Sequence, residues 1–340
     1  MNSDCISPSI ELTSQQVRRL FERIGFAALS VSLVPTLVQL VVAFLWRWLL
    51  PHTALPVWGS HLLSFLSIYG AGFGMAFLFL RALPICVPAR VNLRPLHWLG
   101  LLCVCMACIF LGNAVSQVMT NVLGAILRTP VKNPLSTLLS KATLWENLIF
   151  VGLLGPILEE LFFRRFFCRR FLFLGDTCAI FLSAAIFALA HGNFYQIFYA
   201  FATGAVFAFV YVKTGRLRYT VAIHVYINLT GGVLVSFLSQ NSNLSSLFAI
   251  LGEEPHADLL HKMLPMLPYF TAMLLYAILY YLTVTVGIVL ICLYAKHIRL
   301  SSGAIRLPLE NNGRYMLLNS GMILCLSYYA LTLIRSVLPS

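Results

Sequence analysis

Charge is what this chain has least of. Only 10% of its 340 residues are charged and only 11 are acidic, where an ordinary soluble domain carries about 25% charged residues. Hydrophobic residues make up 60% and the mean hydropathy is +0.87, which excludes a soluble globular class. The first 25 residues are polar, with Glu11, Arg18, Arg19, Glu22 and Arg23. They lack the short apolar core and small-residue cleavage site of a cleaved signal peptide, so the first apolar run is expected to stay as an anchor. Cysteine provides no framework either. The nine are odd in number, and Cys103, Cys105 and Cys108 share one apolar run at a spacing that matches no standard zinc pattern. They read as small buried hydrophobes. No internal repeat or pair of broken helices is visible, which weighs against a proton-coupled transporter with Glu159 and Glu160 as its relay.

What is present is a series of apolar runs, at 26–50, 61–80, 98–122, 147–163, 177–190, 194–212, 220–238, 269–295 and 316–334. A membrane-crossing helix needs roughly 17–25 such residues. The expectation is an all-α, polytopic transmembrane bundle of about eight or nine spans, with 177–190 the shortest.

The net charge of +12 follows the same topology. With the amino end in the cytoplasm and the runs alternating, nearly every Lys and Arg falls on the cytoplasmic side. The exceptions are Arg47, Arg128, Lys132, Lys141, Lys262 and Arg335. This asymmetry is the positive-inside bias, so the basic excess does not call for a nucleic-acid partner. The expected surroundings are a lipid bilayer, most simply a bacterial inner membrane, because loops are short and no organelle address is visible. Three parts follow along the chain. Residues 1–143 form a polar tail and three spans, 144–238 a motif-bearing core, and 239–340 a polar connector (239–268, with Glu253, Glu254 and Asp258) followed by two spans.

The core holds the chemistry. Glu159-Glu160-x-x-x-Arg164, Phe187-x-x-x-His191 and His224-x-x-x-Asn228 lie in successive apolar runs. Ionisable groups at membrane depth are costly and mark functional sites. Residues four apart share a helix face, so Arg164 can hold Glu160 ionised and oriented. Glu159 projects about 100° away. Phe187 falls beneath His191, and His224 and Asn228 can face one substrate atom. Each pair alone has a bland reading: a structural ion pair, an interfacial histidine, or an interhelical hydrogen bond worth about 1 kcal/mol. Together, in three neighbouring runs, they point to catalysis.

Depth is consistent only if the fourth helix runs on to about Phe173, carrying Arg165, Arg169 and Arg170 outward. Glu159 then lies ~21 Å above that end at 1.5 Å per residue. His191 and His224 can meet it in a water-accessible cavity, expected to open towards the cytoplasm.

In order and spacing these three motifs resemble the CPBP intramembrane proteases, also called the Abi family, which include CAAX prenyl endopeptidases and bacteriocin-processing and self-immunity proteins. The stretch from Phe201 through Gly204 and Tyr211 to Gly215 resembles the family's glycine-containing helix and turn. The likeness covers about residues 144–238. It implies an endopeptidase acting on a peptide or lipidated protein substrate, prenylated CAAX-type or leader-type. Glu159 would activate water, His191 would help to hold that water, His224 and Asn228 would stabilise the oxyanion, and Glu160 with Arg164 would support Glu159. No cofactor is expected. Zinc on Glu159, His191 and His224 stays open, since two His and a Glu can leave a fourth position free, although the spacing is not His-Glu-x-x-His. A membrane scaffold or immunity protein that cleaves nothing is the reading from another class.

Overall fold

The computed structural model describes residues 10–131, 133–240, 261, 264–303, 305–306 and 312–338. The acidic residues of the connector, Glu253, Glu254 and Asp258, lie outside the described residues, as do Lys132 and Lys262.

The chain is a bundle of antiparallel helices. In order they are α1 (Ser14–Leu49), α2 (Val57–Leu80), α3 (Pro95–Leu127), α4 (Pro134–Lys141), α5 (residues 144–171), α6 (Asp176–Ala190), α7 (Ile197–Thr214), α8 (Leu217–Leu238), α9 (Leu267–Tyr294), α10 (Asn312–Leu317) and α11 (Ser320–Val337). Seven of them are long and apolar enough to cross a membrane, so this is an integral multi-pass membrane protein. The expected spans at α5 and α6 differ from these seven for separate reasons. α5 carries Glu159, Glu160, Arg164, Arg165, Arg169 and Arg170 in its length, and α6 is only 15 residues long. Glycine with φ +99° at Gly175 turns the chain between them.

Local sequence explains the ends. Thr13 and Gln16 form a capping box at the start of α1, and Thr143 and Glu146 form another at the start of α5. Such pairs satisfy backbone donors that a helix start leaves open. α5 does continue as expected: its helical turns reach Phe171, and a 3₁₀ turn carries the chain to Leu174. Much of its length, Asn147–Leu154 and Leu161–Cys168, is wound as π-helix, a form that recurs at functional sites.

One face of the bundle is tied together by the basic connections. Cys86 N donates to Arg169 O at 3.0 Å and Val91 N to Thr214 O at 2.9 Å. Arg170 Nε reaches Leu80 O. Asp176 accepts from Lys213 Nζ at 2.7 Å and from Ser301 N at 2.9 Å, and Ile10–Glu11 pairs in parallel with Ile305–Arg306. On the opposite face, Tyr195 OH donates to Val131 O at 2.6 Å and Asn147 Nδ2 to Leu139 O at 2.8 Å. α1 and α11 meet so closely at Gly25 and Gly321 that a Cβ on either would strike the other helix's backbone.

Under the basic face lies a core of aromatic rings. Phe163, Phe167 and Phe171 are buried along α5, with Phe73 of α2 stacked 4.0 Å from Phe162. Burying rings of this size dominates core energetics. The packing closes the bundle between the Glu160–Arg164 level and the basic face.

Candidate active site

Arg164 lies inside the bundle, not among the basic-face residues with which the charge count grouped it, and it pairs with Glu160 as their spacing implies. It is 0% exposed, and its Nε donates to Glu160 Oε2 at 3.2 Å, with Glu160 equally buried. Nη1 donates to Ser183 Oγ at 2.7 Å, and Ser183 Oγ–H donates in turn to Phe163 O at 2.8 Å. The guanidinium lies 5.1 Å from the Phe187 ring and 5.7 Å from the Phe207 ring, where a desolvated cation is attracted to the π-faces. Two aromatic rings, a hydroxyl and a carboxylate therefore fix this cation.

The next links lead to the second carboxylate. Glu160 Oε1 accepts from His224 Nδ1 at 3.2 Å, and the other ring nitrogen, Nε2, stands 3.6 Å from Glu159 Oε2. Tyr69 OH on α2 donates to Glu159 Oε1 at 3.4 Å. A chain of contacts thus runs Arg164, Glu160, His224, Glu159. The expected support of Glu159 by Glu160 and Arg164 is relayed through a histidine. Glu160 is closed off, whereas the Glu159 side chain keeps 25% of its surface, so only Glu159 can meet substrate.

His191 ends α6 with Nδ1–H donating to Phe187 O at 2.8 Å, which leaves Nε2 as the unengaged nitrogen. Phe187 lies beneath it as expected, edge-on at 4.9 Å. Gly204 makes that possible: a Cβ there would stand 2.9 Å from Phe187 Cδ1. Asn228 donates one amide proton to Val151 O at 2.9 Å. His224 turns to the glutamates, so the pair is not aimed jointly at one point in this arrangement. The motifs missed Tyr69, Ser183 and Phe207. Ser183 had a signal, four residues before Phe187 on the same face of α6; Tyr69 had none.

All four proposed catalytic residues, Glu159, His191, His224 and Asn228, line one cavity of about 670 Å³. A second, of about 330 Å³ between α1, α2 and α11, also reaches Glu159, His191 and Tyr69. The opening differs from the expectation. The larger cavity runs from Glu159, His224 and Phe207 to Asn133, Leu135 and Gln196, away from the basic face. The reason is the aromatic packing of α5, which fills the basic side of the site.

Among the described residues no group of three or more His, Cys, Asp or Glu is placed to hold a metal ion. His224 Nδ1 is engaged by Glu160, and Nε2 stands beside Glu159 at 3.6 Å, beyond a hydrogen bond.

Ser183→Ala should lower stability by about 1–3 kcal/mol, because an Arg164 N–H and the Phe163 carbonyl lose their partner in a buried place. A melting shift with little change in insertion is the expected result. Unchanged melting would mean that Ser183 only fills space.

Residues 141–230 match the family described as type II CAAX prenyl endopeptidase Rce1-like. The membrane-embedded CAAX protease MroQ of Staphylococcus aureus (strain USA300) is 34% identical over 130 residues, which is 36% of this chain and 51% of that protein. The chain thus spans about half the length of the curated relative it matches. No solved structure matches. The matched stretch contains every residue of the three motifs, and this part of the chain is similar to that family and that protease.

Proposed function

We propose that the protein is an intramembrane endopeptidase that hydrolyses a peptide bond of a membrane-associated substrate by glutamate-activated water. The observation that carries this is the relay Arg164–Glu160–His224–Glu159, a set of buried contacts that ends on the one carboxylate open to the cavity. Glu159 takes a proton from a water that His191 Nε2 helps to hold. The hydroxide attacks the scissile carbonyl. The second amide proton of Asn228 stabilises the oxyanion, joined by His224 Nε2–H, which no hydrogen bond holds in the free site; a well-aimed donor contributes about 3–4 kcal/mol. Glu159 then returns the proton to the leaving amine. A positioned base contributes about 10²–10⁴ in rate. The membrane is taken to be a bacterial cell membrane with the amino end cytoplasmic.

The test is cleavage of a mixed peptide library, CAAX-terminated and unmodified, by the purified chain with and without a strong chelator. Cleavage unaffected by the chelator is expected; loss that zinc restores would replace this mechanism with a metal-dependent one. A protein that only binds its partner, as a scaffold or immunity protein would, cleaves nothing in either arm.

A further inference from the structure

The larger cavity does not end at the bundle's edge. It shares Asn133, Leu135, Gly231, Gly232 and Val235 with a groove of about 380 Å³ on the face opposite the basic connections. Ser136, Thr137, Ser140 and Gln240 line that groove with hydroxyls and an amide. α4, which forms one wall, begins at Asn133, whose side chain caps Leu135 N. No Lys, Arg or Asp lines groove or cavity among the described residues, and Glu159 is the only carboxylate. The lining is polar at the mouth and becomes largely apolar towards Glu159, with Phe65, Phe150, Ile227 and Tyr280 on the walls.

The sides of the bundle are chemically unequal. Arg18, Arg19, Arg23, Arg81, Arg90, Arg94, Arg169, Arg170, Lys213, Arg216, Arg218, Lys296 and Arg299 stand at the helix ends and connections of one face. That face is cytoplasmic by the positive-inside bias. The groove and cavity mouth belong to the other.

We propose that substrate reaches Glu159 from the non-cytoplasmic face, as an uncharged extended peptide segment threaded through the α4–α8 groove. This rests on the protease reading for what happens at Glu159, but the side of access stands on topology alone. It makes the natural substrate a peptide segment presented at the outer face. A lipid-bearing carboxy terminus held at the cytoplasmic face would approach from the closed side, against Phe163, Phe167 and Phe171.

Two measurements test it. Asn133→Cys and Ser136→Cys should react with a membrane-impermeant maleimide in intact cells, above the background of the chain's own nine cysteines. Arg90→Cys should react only after permeabilisation. The reverse pattern overturns the proposal.

The second measurement plugs the route. A Cβ at Gly231 or Gly232 would meet nothing within 4 Å, so Gly232→Leu can fill the passage without a clash. It should raise KM for peptide about tenfold or more with kcat nearly unchanged, as loss of binding alone does, and leave melting at the wild-type value. Gly74→Leu is equally free of clashes on α2 and should leave both constants unchanged. Wild-type kinetics in Gly232→Leu would overturn the route. The labelling needs no catalysis. A chain that cleaved no peptide would sink the protease reading, and the labels would still decide the side of access.

Discussion

Glu159→Gln is expected to abolish cleavage and to leave folding intact. Glutamine keeps the shape and still accepts from Tyr69 OH through its carbonyl oxygen, so the hydrogen bond and packing of Glu159 survive. Only the base is lost. The rate should fall by about 10²–10⁴, equivalent to about 3–5 kcal/mol of barrier, at an unchanged melting temperature and unchanged peptide affinity. Retained proteolysis would remove Glu159 from the mechanism. A biological phenotype that survived the substitution would favour a scaffold.

Arg164→Ala has the largest expected effect on stability. Glu160 would remain fully buried with no cation but a protonated His224 to balance it, beside the Thr220 hydroxyl, and removing one partner of a buried ion pair costs about 3–5 kcal/mol. The side chain's packing between the Phe187 and Phe207 rings is lost as well. Poor expression or early melting should follow. Lysine at 164 should rescue only in part, because a point charge cannot reach Glu160 and Ser183 through two separate nitrogens as the guanidinium does. Glu160→Gln combined with Arg164→Gln should recover part of the stability, since no lone charge is left buried. Full stability and activity in Arg164→Ala would show that the pairing with Glu160 is dispensable.

The relation between these two residues shows what a sequence can carry. Glu160 and Arg164 are four apart on one helix, and the periodicity of a helix allows no other arrangement than a shared face. The same local rule placed Phe187 beneath His191, and the cluster Arg165, Arg169 and Arg170 demanded that α5 run on past the site. Composition likewise settled the membrane class and the all-helical bundle, because in lipid every backbone polar group must be satisfied within its own segment. Each of these is a short-range constraint, written in residues a few positions apart.

Tertiary packing decided the rest. Nothing in spacing could say that His224 would turn to Glu160 and Glu159 and leave Asn228 to Val151, since that depends on how α8 lies against α5. Tyr69 reaches Glu159 from 90 residues away, and no local pattern marks it. The cavity's direction depends on packing for the same reason. Which side of a membrane site is open depends on where the bulk of neighbouring rings accumulates, and Phe73 of α2 joins Phe163 and Phe167 of α5 only in the folded bundle. The sequence by itself determined the helical, membrane-spanning class and which successive helices bear the three motifs. The fold alone decided how those residues are connected and from which face they can be reached, because both depend on contacts between segments far apart in the chain.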